Sequence, residues 1–398
     1  MIKKSNLKKS FFLLKKTDEP DFGFTTGTCA QAASIASARM LLTQKIVEYV
    51  ILTTPKGIKI CIEIENQFIT EDYASCSVQK YSGTDPDVTN GIDIFSKVTR
   101  ISQNMVTDFC FTEKDFSEVI KIKGGKGVGK VTLPGLDQKP GEYAINSVPR
   151  KMILESVKNE LIKNGRSFPL EIEISIPKGE ELASKTFNPK LGITGGISVL
   201  GTSGIVEPMS DQALLDTIQV EMNVRKAQNN DTLLMVPGNY GCEFLQKEFS
   251  ISLDAAVHCS NFVYDAVQMA VKTGFKRIIF CGHIGKLIKV AGGRKNTHSK
   301  YGDGRSEIFL ETAKKYLCES DYFCIENQIK TCISTEQMIN ILDSYQEAAA
   351  CKNAIMQAIA DKIQKQMIEW SENQLEVEVI LFTKEHGLLA KTQNLRLE

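Results

Sequence analysis

The run from Asn188 to Ser210, N-P-K-L-G-I-T-G-G-I-S-V-L-G-T-S-G-I-V-E-P-M-S, constrains this chain more than any other stretch. Its glycines surround one short apolar segment, Ile197–Leu200. Glycines placed this way adopt a positive φ, or let a ligand approach the backbone closely. A strand that feeds a glycine-rich turn and then a helix is a small-molecule arrangement of α/β proteins. The helix is expected to start at Ser210 as N-cap. Ala213, Leu214, Ile218 and Met222 then recur at helical spacing.

The second half repeats that rhythm. Candidate strands Ile197–Leu200, Thr232–Val236, Arg277–Cys281 and Val377–Phe382 alternate with candidate helices Asp211–Ala227, Ser260–Thr273, Glu307–Cys318 and Thr335–Trp370. Such alternation implies βαβ units and a mainly parallel sheet. The first half reads differently. Thr28 with Gln31 fits a capping box before a small-residue helix, Cys29–Leu42. Strands are expected where Ile58, Ile60, Ile62 and Ile64 alternate with polar residues. Tyr73–Lys80, Glu118–Lys123 and Leu170–Ile176 read as further strands, and Val148–Asn164 as a helix. The pattern predicts two domains: α+β over 1–190, and α/β, Rossmann-like with a mainly parallel sheet, over 191–398.

Composition narrows the function classes. Lys+Arg and Asp+Glu are equal at 48 each, so no global basic field points to nucleic acid. No apolar run reaches membrane-spanning length, and the basic segment Met1–Lys16 carries only Phe11–Leu14 as apolar core, too little for a signal peptide. Eleven cysteines without framework spacing suggest reduced thiols and a cytoplasmic enzyme. Self-association is left open.

Three candidate strands end in glycine: at Gly201-Thr202-Ser203-Gly204, at Pro237-Gly238-Asn239-Tyr240-Gly241, and at Gly282-His283-Ile284-Gly285-Lys286. Loops at the carboxyl ends of one sheet would build one pocket. The G-x-G-x-x-G dinucleotide fingerprint is absent, which weakens a nicotinamide reading. Lys123–Val131 matches G-x-x-x-x-G-K, but Val131 replaces the metal-binding Ser/Thr, and strands on both sides predict a glycine-rich hairpin with Lys126 and Lys130 near its tip. The helix start at Thr25-Thr26-Gly27-Thr28-Cys29 suits an anion, or simple capping. Asp85 and Asp87 flank a proline, as a carboxylate pair or as an Asx-rich turn. Lys286–Arg305 is a basic run holding Lys289, Arg294, His298 and Asp303, which is either an anion site or a solvated face. A zinc site from His258, Cys259, Cys281 and His283 lacks ligand spacing.

Several of these motifs, in order, resemble the CbiD family, the cobalt-precorrin-5B C-1 methyltransferases of anaerobic cobalamin biosynthesis. The matching stretches are G-F-T-T-G-T-C-A (Gly23–Ala30), D-P-D-V-T-N-G (Asp85–Gly91), G-G-K-G-V-G-K-V-T-L-P-G-L (Gly124–Leu136), the Asn188–Ser210 run, P-G-N-Y-G (Pro237–Gly241), G-H-I-G-K-L-I-K-V-A-G-G (Gly282–Gly293) and N-T-H-S (Asn296–Ser299). The turn before Asp85 reads K-Y-S-G-T, where the family pattern is more acidic. The resemblance implies S-adenosylmethionine as methyl donor and a corrinoid acceptor whose cobalt belongs to the substrate, so no protein metal site is needed. The donor is then expected against Gly195, Gly196, Gly201, Thr202, Ser203, Gly204, Gly238, Asn239, Gly241, Gly282 and His283. Acceptor contacts are expected from Thr25, Thr26, Thr28, Asp85, Asp87, Lys126, Lys130, Lys286, Lys289, Arg294 and Arg305. His298 and Asp303, with Glu207 behind them, are the candidate bases. A nucleotide-dependent small-molecule kinase and a non-catalytic tetrapyrrole carrier are the competing classes.

Overall fold

A computed structural model describes residues 21–102, 111–112, 120–166 and 168–392. Met1–Lys16, and the start of the expected strand at Glu118 and Val119, lie outside those residues. The chain divides into two compact units, Met1–Asp211 and Gln212–Glu398. The division falls after Asp211 rather than near residue 190, because the glycine-rich run pairs with strands of the first unit. Ile193–Thr194 (β12) runs antiparallel to Lys130–Val131 (β10). Gly196–Ile197 (β13) runs parallel to Gly127–Val128 (β9), and Ile205–Val206 (β14) antiparallel to Gly23–Phe24 (β1). The expected hairpin over Lys123–Val131 is therefore not formed: Ile120–Gly124 pairs with Leu170–Ser175 and Phe111–Thr112, while Gly127–Val128 and Lys130–Val131 pair with the glycine-rich run.

In the first unit the helix Thr26–Thr43 (α1) is buried on almost every side. Its run of Ala, Ser and Cys makes that possible, since small side chains let two partners approach closely. It packs on strands Tyr73–Gln79 (β5) and Asp93–Arg100 (β6), and on the helix Ser147–Lys163 (α2). Ser34 Oγ lies 2.9 Å from Ser96 Oγ, and Ser37 Oγ donates to the Ser96 carbonyl at 2.9 Å. Arg39 makes a two-pronged bond to Glu160 of α2, both arms 2.9 Å. Burial opposes the charge on Glu160, but the guanidinium bonds outweigh it and hold the carboxyl below its usual range. The sheet runs in the order β4 (Glu65–Ile69), β5, β6, β11 (Leu170–Ser175), β8 (Ile120–Gly124), β7 (Phe111–Thr112). In β11, Leu170, Ile172 and Ile174 are fully buried and alternate with Glu171 and Glu173, as a two-residue period requires.

The second unit carries a sheet ordered β16 (Val257–His258), β15 (Thr232–Val236), β17 (Arg277–His283), β18 (Glu376–Thr383), β19 (Gly387–Lys391). All neighbours are parallel except the β19 edge. Covered on both faces, β17 is apolar between Arg277 and His283, as buried parallel strands are. Ile278 and Phe280 face the helices Val263–Thr273 (α6) and Gln346–Trp370 (α11), while Ile279 and Cys281 face Asn239–Phe249 (α5). Ile197–Leu200 does not join this sheet, against the sequence expectation. The expected long helix Thr335–Trp370 is two, Thr335–Ser344 (α10) and α11, broken where Tyr345 turns to extended backbone. Asn239–Phe249, Ile284–Ala291 (α7) and Glu319–Lys330 (α9) were not expected as helices. Their starts sit among glycines or polar residues that imitate loops. Among the described residues no helix is long and apolar enough to cross a membrane.

Candidate functional site

The glycine-rich run and the start of α1 form one closed structure. Thr25, not Thr28, is the N-cap: its Oγ1 accepts the Thr28 N–H at 3.2 Å, while Gln31 reaches Ser156 at 2.9 Å. Thr26 Oγ1 accepts the Leu200 N–H at 2.9 Å, Thr28 Oγ1 donates to the Gly204 carbonyl at 2.7 Å, and the Gly27 N–H donates to the Leu200 carbonyl at 2.9 Å. All three threonines are buried. Of the first-turn N–H groups that would hold an anion, that of Gly27 goes to the run, at the Leu200 carbonyl, and that of Thr28 to the Thr25 cap. The glycines there answer to packing. Gly201 has φ +133, and a Cβ on it would stand 2.2 Å from Thr25 Oγ1; a Cβ on Gly196 would stand 2.2 Å from the Gly127 carbonyl. Gly195 is a tight turn facing open space, Thr202 is exposed, and Ser203 Oγ closes on the Ile205 carbonyl at 2.9 Å.

Other expected residues of this unit divide in the same way. Asp87 bonds Lys80 at 2.5 Å and caps Thr89 through its N–H at 2.8 Å. Burial opposes its charge, yet the Lys80 and Thr89 bonds keep its carboxyl below the usual range, so it is a turn residue. Asp85 accepts the Met209 N–H at 3.2 Å, and Glu207 pairs with Lys56. Lys126 and Lys130 are exposed, with Lys130 Nζ 5.0 Å from the Tyr143 ring centre. Cys29 is wholly buried and its thiol is pushed up to about 12 by burial, which rules it out as a nucleophile.

In the second unit the parallel strands bring their carboxyl ends to one edge, where open α/β sheets bind ligands. Gly238, two residues past β15 and at the N-cap of α5, is extended backbone, and a Cβ there would meet nothing within 4 Å. Neither conformation nor packing demands glycine at this position; it fronts open space. Gly241 and Gly282 are packing glycines, against Val236 at 2.9 Å and Leu287 at 2.4 Å. Asn239 opens α5. His283 ends β17 and caps α7. Its Nδ1 accepts the Gly285 N–H at 3.0 Å, so neutral His283 carries its proton on Nε2, which lies 2.6 Å from Glu336. Glu336, in α10, had no signal in the sequence; only the fold brings it here.

Part of the basic run holds the local structure together, and part of it reaches solvent. Lys289 is buried, donates to the Thr297 carbonyl at 3.3 Å and lies 3.7 Å from Asp303. Arg305 forks onto Asp303 at 2.5 and 2.8 Å and also reaches the Ile333 carbonyl at 3.1 Å. The Arg305 bond holds the Asp303 carboxyl below its usual range, which makes Asp303 a poor proton acceptor near neutrality. His298 is exposed and caps the turn Ser299–Tyr301, its Nδ1 accepting the Lys300 N–H at 3.1 Å. With that bond in place, neutral His298 carries its N–H at Nε2. Lys286 and Arg294 reach solvent, and desolvation pushes the Lys286 amine below the usual lysine range. Cys242 and His258 approach to 3.5 Å, but among the described residues no three metal-ligating side chains converge.

Two family models match the chain: CbiD over residues 14–208, and the CbiD C-terminal domain over residues 296–393. The cobalt-precorrin-5B C(1)-methyltransferase of Ruminiclostridium cellulolyticum is 42% identical, over 94% of this chain and 91% of that protein. Proteins of the same name from Alkaliphilus metalliredigens and Clostridioides difficile are 40% and 35% identical, covering 95% and 94% of this chain and 94% of each of theirs. A crystal structure of the cobalamin biosynthesis protein (cbiD) from Archaeoglobus fulgidus is similar at 29% identity and a TM-score of 0.39, over 77% of this chain and 92% of that one. With sequence agreement spread through both units, the chain belongs to the CbiD family.

Proposed function

We propose that this chain transfers a methyl group from S-adenosylmethionine to carbon 1 of cobalt-precorrin-5B, giving cobalt-precorrin-6A in cobalamin biosynthesis. The observation that carries the reading is full-length similarity. Relatives named for this reaction match 94–95% of the chain at 35–42% identity. The first unit is then an α+β domain that contributes acceptor contacts, and the second a Rossmann-like donor-binding domain. The open backbone at Gly238, at the carboxyl edge of the parallel sheet, fits close approach of a small molecule. Lys286 and Arg294 are exposed cations suited to the acetate and propionate groups of a corrinoid, as are Lys126 and Lys130 of the first unit. His298 donates a hydrogen bond to such a carboxylate from Nε2. Lys289, Asp303 and Arg305 hold the loop that presents these groups.

The donor supplies an already activated methyl group. What remains for the protein is to hold two reactants in line and keep water out. Alignment of that kind lowers a barrier by roughly 7–11 kcal/mol. The enzyme works in the cytoplasm, where its thiols stay reduced. Incubation with cobalt-precorrin-5B and S-adenosylmethionine tests the reading. Mass spectrometry should find an acceptor heavier by one methyl group, with S-adenosylhomocysteine released in equal amount. An unchanged acceptor would return the chain to the carrier class.

A further inference from the structure

Tyr240 is the second residue of α5, two positions beyond the open backbone of Gly238, and the residue is 55% exposed. One face is already occupied by a cation. Lys384, from the turn after β18, places Nζ 3.4 Å from the ring centre. Phe244, one helical turn after Tyr240, stacks on Phe382, two residues before Lys384, with ring centres 4.2 Å apart and planes at 5°. β18 lies beside β17, and the Phe382 ring stands 5.8 Å from the ring of His283, edge to face.

We propose that the face of Tyr240 held by Lys384 is the seat of the donor's sulfonium cation, and that Lys384 and the donor exchange there. The inference rests on the donor-binding reading above. An aromatic face attracts a monocation through its quadrupole, whether ammonium or sulfonium. Two monocations cannot share one face, because their mutual repulsion opposes it. The open space at Gly238 is where the rest of a donor molecule would lie. Transfer breaks the sulfur–methyl bond and forms a carbon–carbon bond on the acceptor. The electron pair stays on sulfur, and the positive charge passes to the acceptor, which sheds it as a proton. The remaining thioether is neutral and has no claim on the ring. Lys384 then recovers its place, so the arrangement favours the sulfonium of the donor over the neutral thioether of the product.

Calorimetric titration of S-adenosylmethionine and S-adenosylhomocysteine into the full chain tests this. Lys384→Met removes the competing charge; it should tighten S-adenosylmethionine by about fivefold to tenfold and leave S-adenosylhomocysteine within about twofold. Tyr240→Leu should weaken S-adenosylmethionine by about tenfold with little change for the thioether, and Tyr240→Phe should resemble the parent. Equal changes for both ligands would mean that the ring reads the shared adenosine and would overturn the proposal. So would unchanged S-adenosylmethionine affinity in Lys384→Met, a surface substitution that carries the test even if Tyr240→Leu misfolds. If the unaltered chain binds neither ligand, the donor reading itself fails.

Discussion

Two glycines that look alike in sequence should behave in opposite ways. Gly201 lies at φ +133, and a Cβ there would stand 2.2 Å from Thr25 Oγ1 and 2.4 Å from Thr25 Cβ. In Gly201→Ala the strained backbone costs about 1–2 kcal/mol, and displacing the Thr25 cap about 1 kcal/mol more. Forcing a methyl group into a closed contact adds about 1–3 kcal/mol. The expected loss is about 3–6 kcal/mol, a fall in Tm on the order of 10 °C for a unit of this size. Gly238 is extended at φ 176 and its Cβ would meet nothing. Gly238→Ala should therefore leave Tm within about 2 °C, since surface substitutions usually stay within about 0.5 kcal/mol. Gly238→Val should do the same while lowering affinity for S-adenosylhomocysteine. Thermal unfolding followed by far-UV circular dichroism, beside calorimetry with the ligand, separates the two. A stable Gly201→Ala protein, or a Gly238→Ala protein that melts early, would refute the assignment of one glycine to packing and the other to open space.

Other outcomes follow from the same geometry. Lys286→Ala and Arg294→Ala should each weaken corrinoid binding by about 1.5–3 kcal/mol where the carboxylate bond is desolvated, with donor affinity unchanged in a parallel titration. His298→Gln keeps a side-chain N–H donor, so kcat should stay within about threefold, whereas loss of a general base costs about 10²–10⁴-fold; a pH–rate profile whose acidic limb vanishes in the variant would restore the base. Glu160→Gln should destabilise the first unit by about 1.5–3 kcal/mol by urea unfolding, because Arg39 loses a charged partner. The folded Glu160 carboxyl lies below its usual range, so its contribution is complete above the unfolded pKa of about 4.3 and fades as pH falls further. The difference between parent and variant should shrink below about pH 4.

Strands β15, β17 and β18 were legible because buried parallel strands are mostly apolar runs, as in residues 278–281 and 379–382. Asp211–Ala227 was equally plain, its apolar residues recurring at helical spacing. The glycine-rich run misled in one respect. Ile197–Leu200 has the composition of a core strand, but its partner is decided by long-range pairing with Gly127–Val128, which no local pattern encodes. Glycine content signalled close approach without saying of what. At Gly201 the close neighbour is Thr25, and at Gly238 it is open space. The short helix Ile284–Ala291 hides between glycines, and with it the distinction between buried Lys289 and exposed Lys286 one turn apart. Asp303 carries the same letters whether free or clamped by Arg305. Glu336, more than fifty positions from His283, belongs to its environment only through the packing of α10.

The position of the transferred methyl group tests the account most directly. With S-adenosylmethionine labelled by carbon-13 in its methyl group and cobalt-precorrin-5B as acceptor, the product should carry one labelled methyl on carbon 1, seen by nuclear magnetic resonance as a coupling to that ring carbon. Label on another ring position, or label that stays with the donor while both ligands bind, would contradict it.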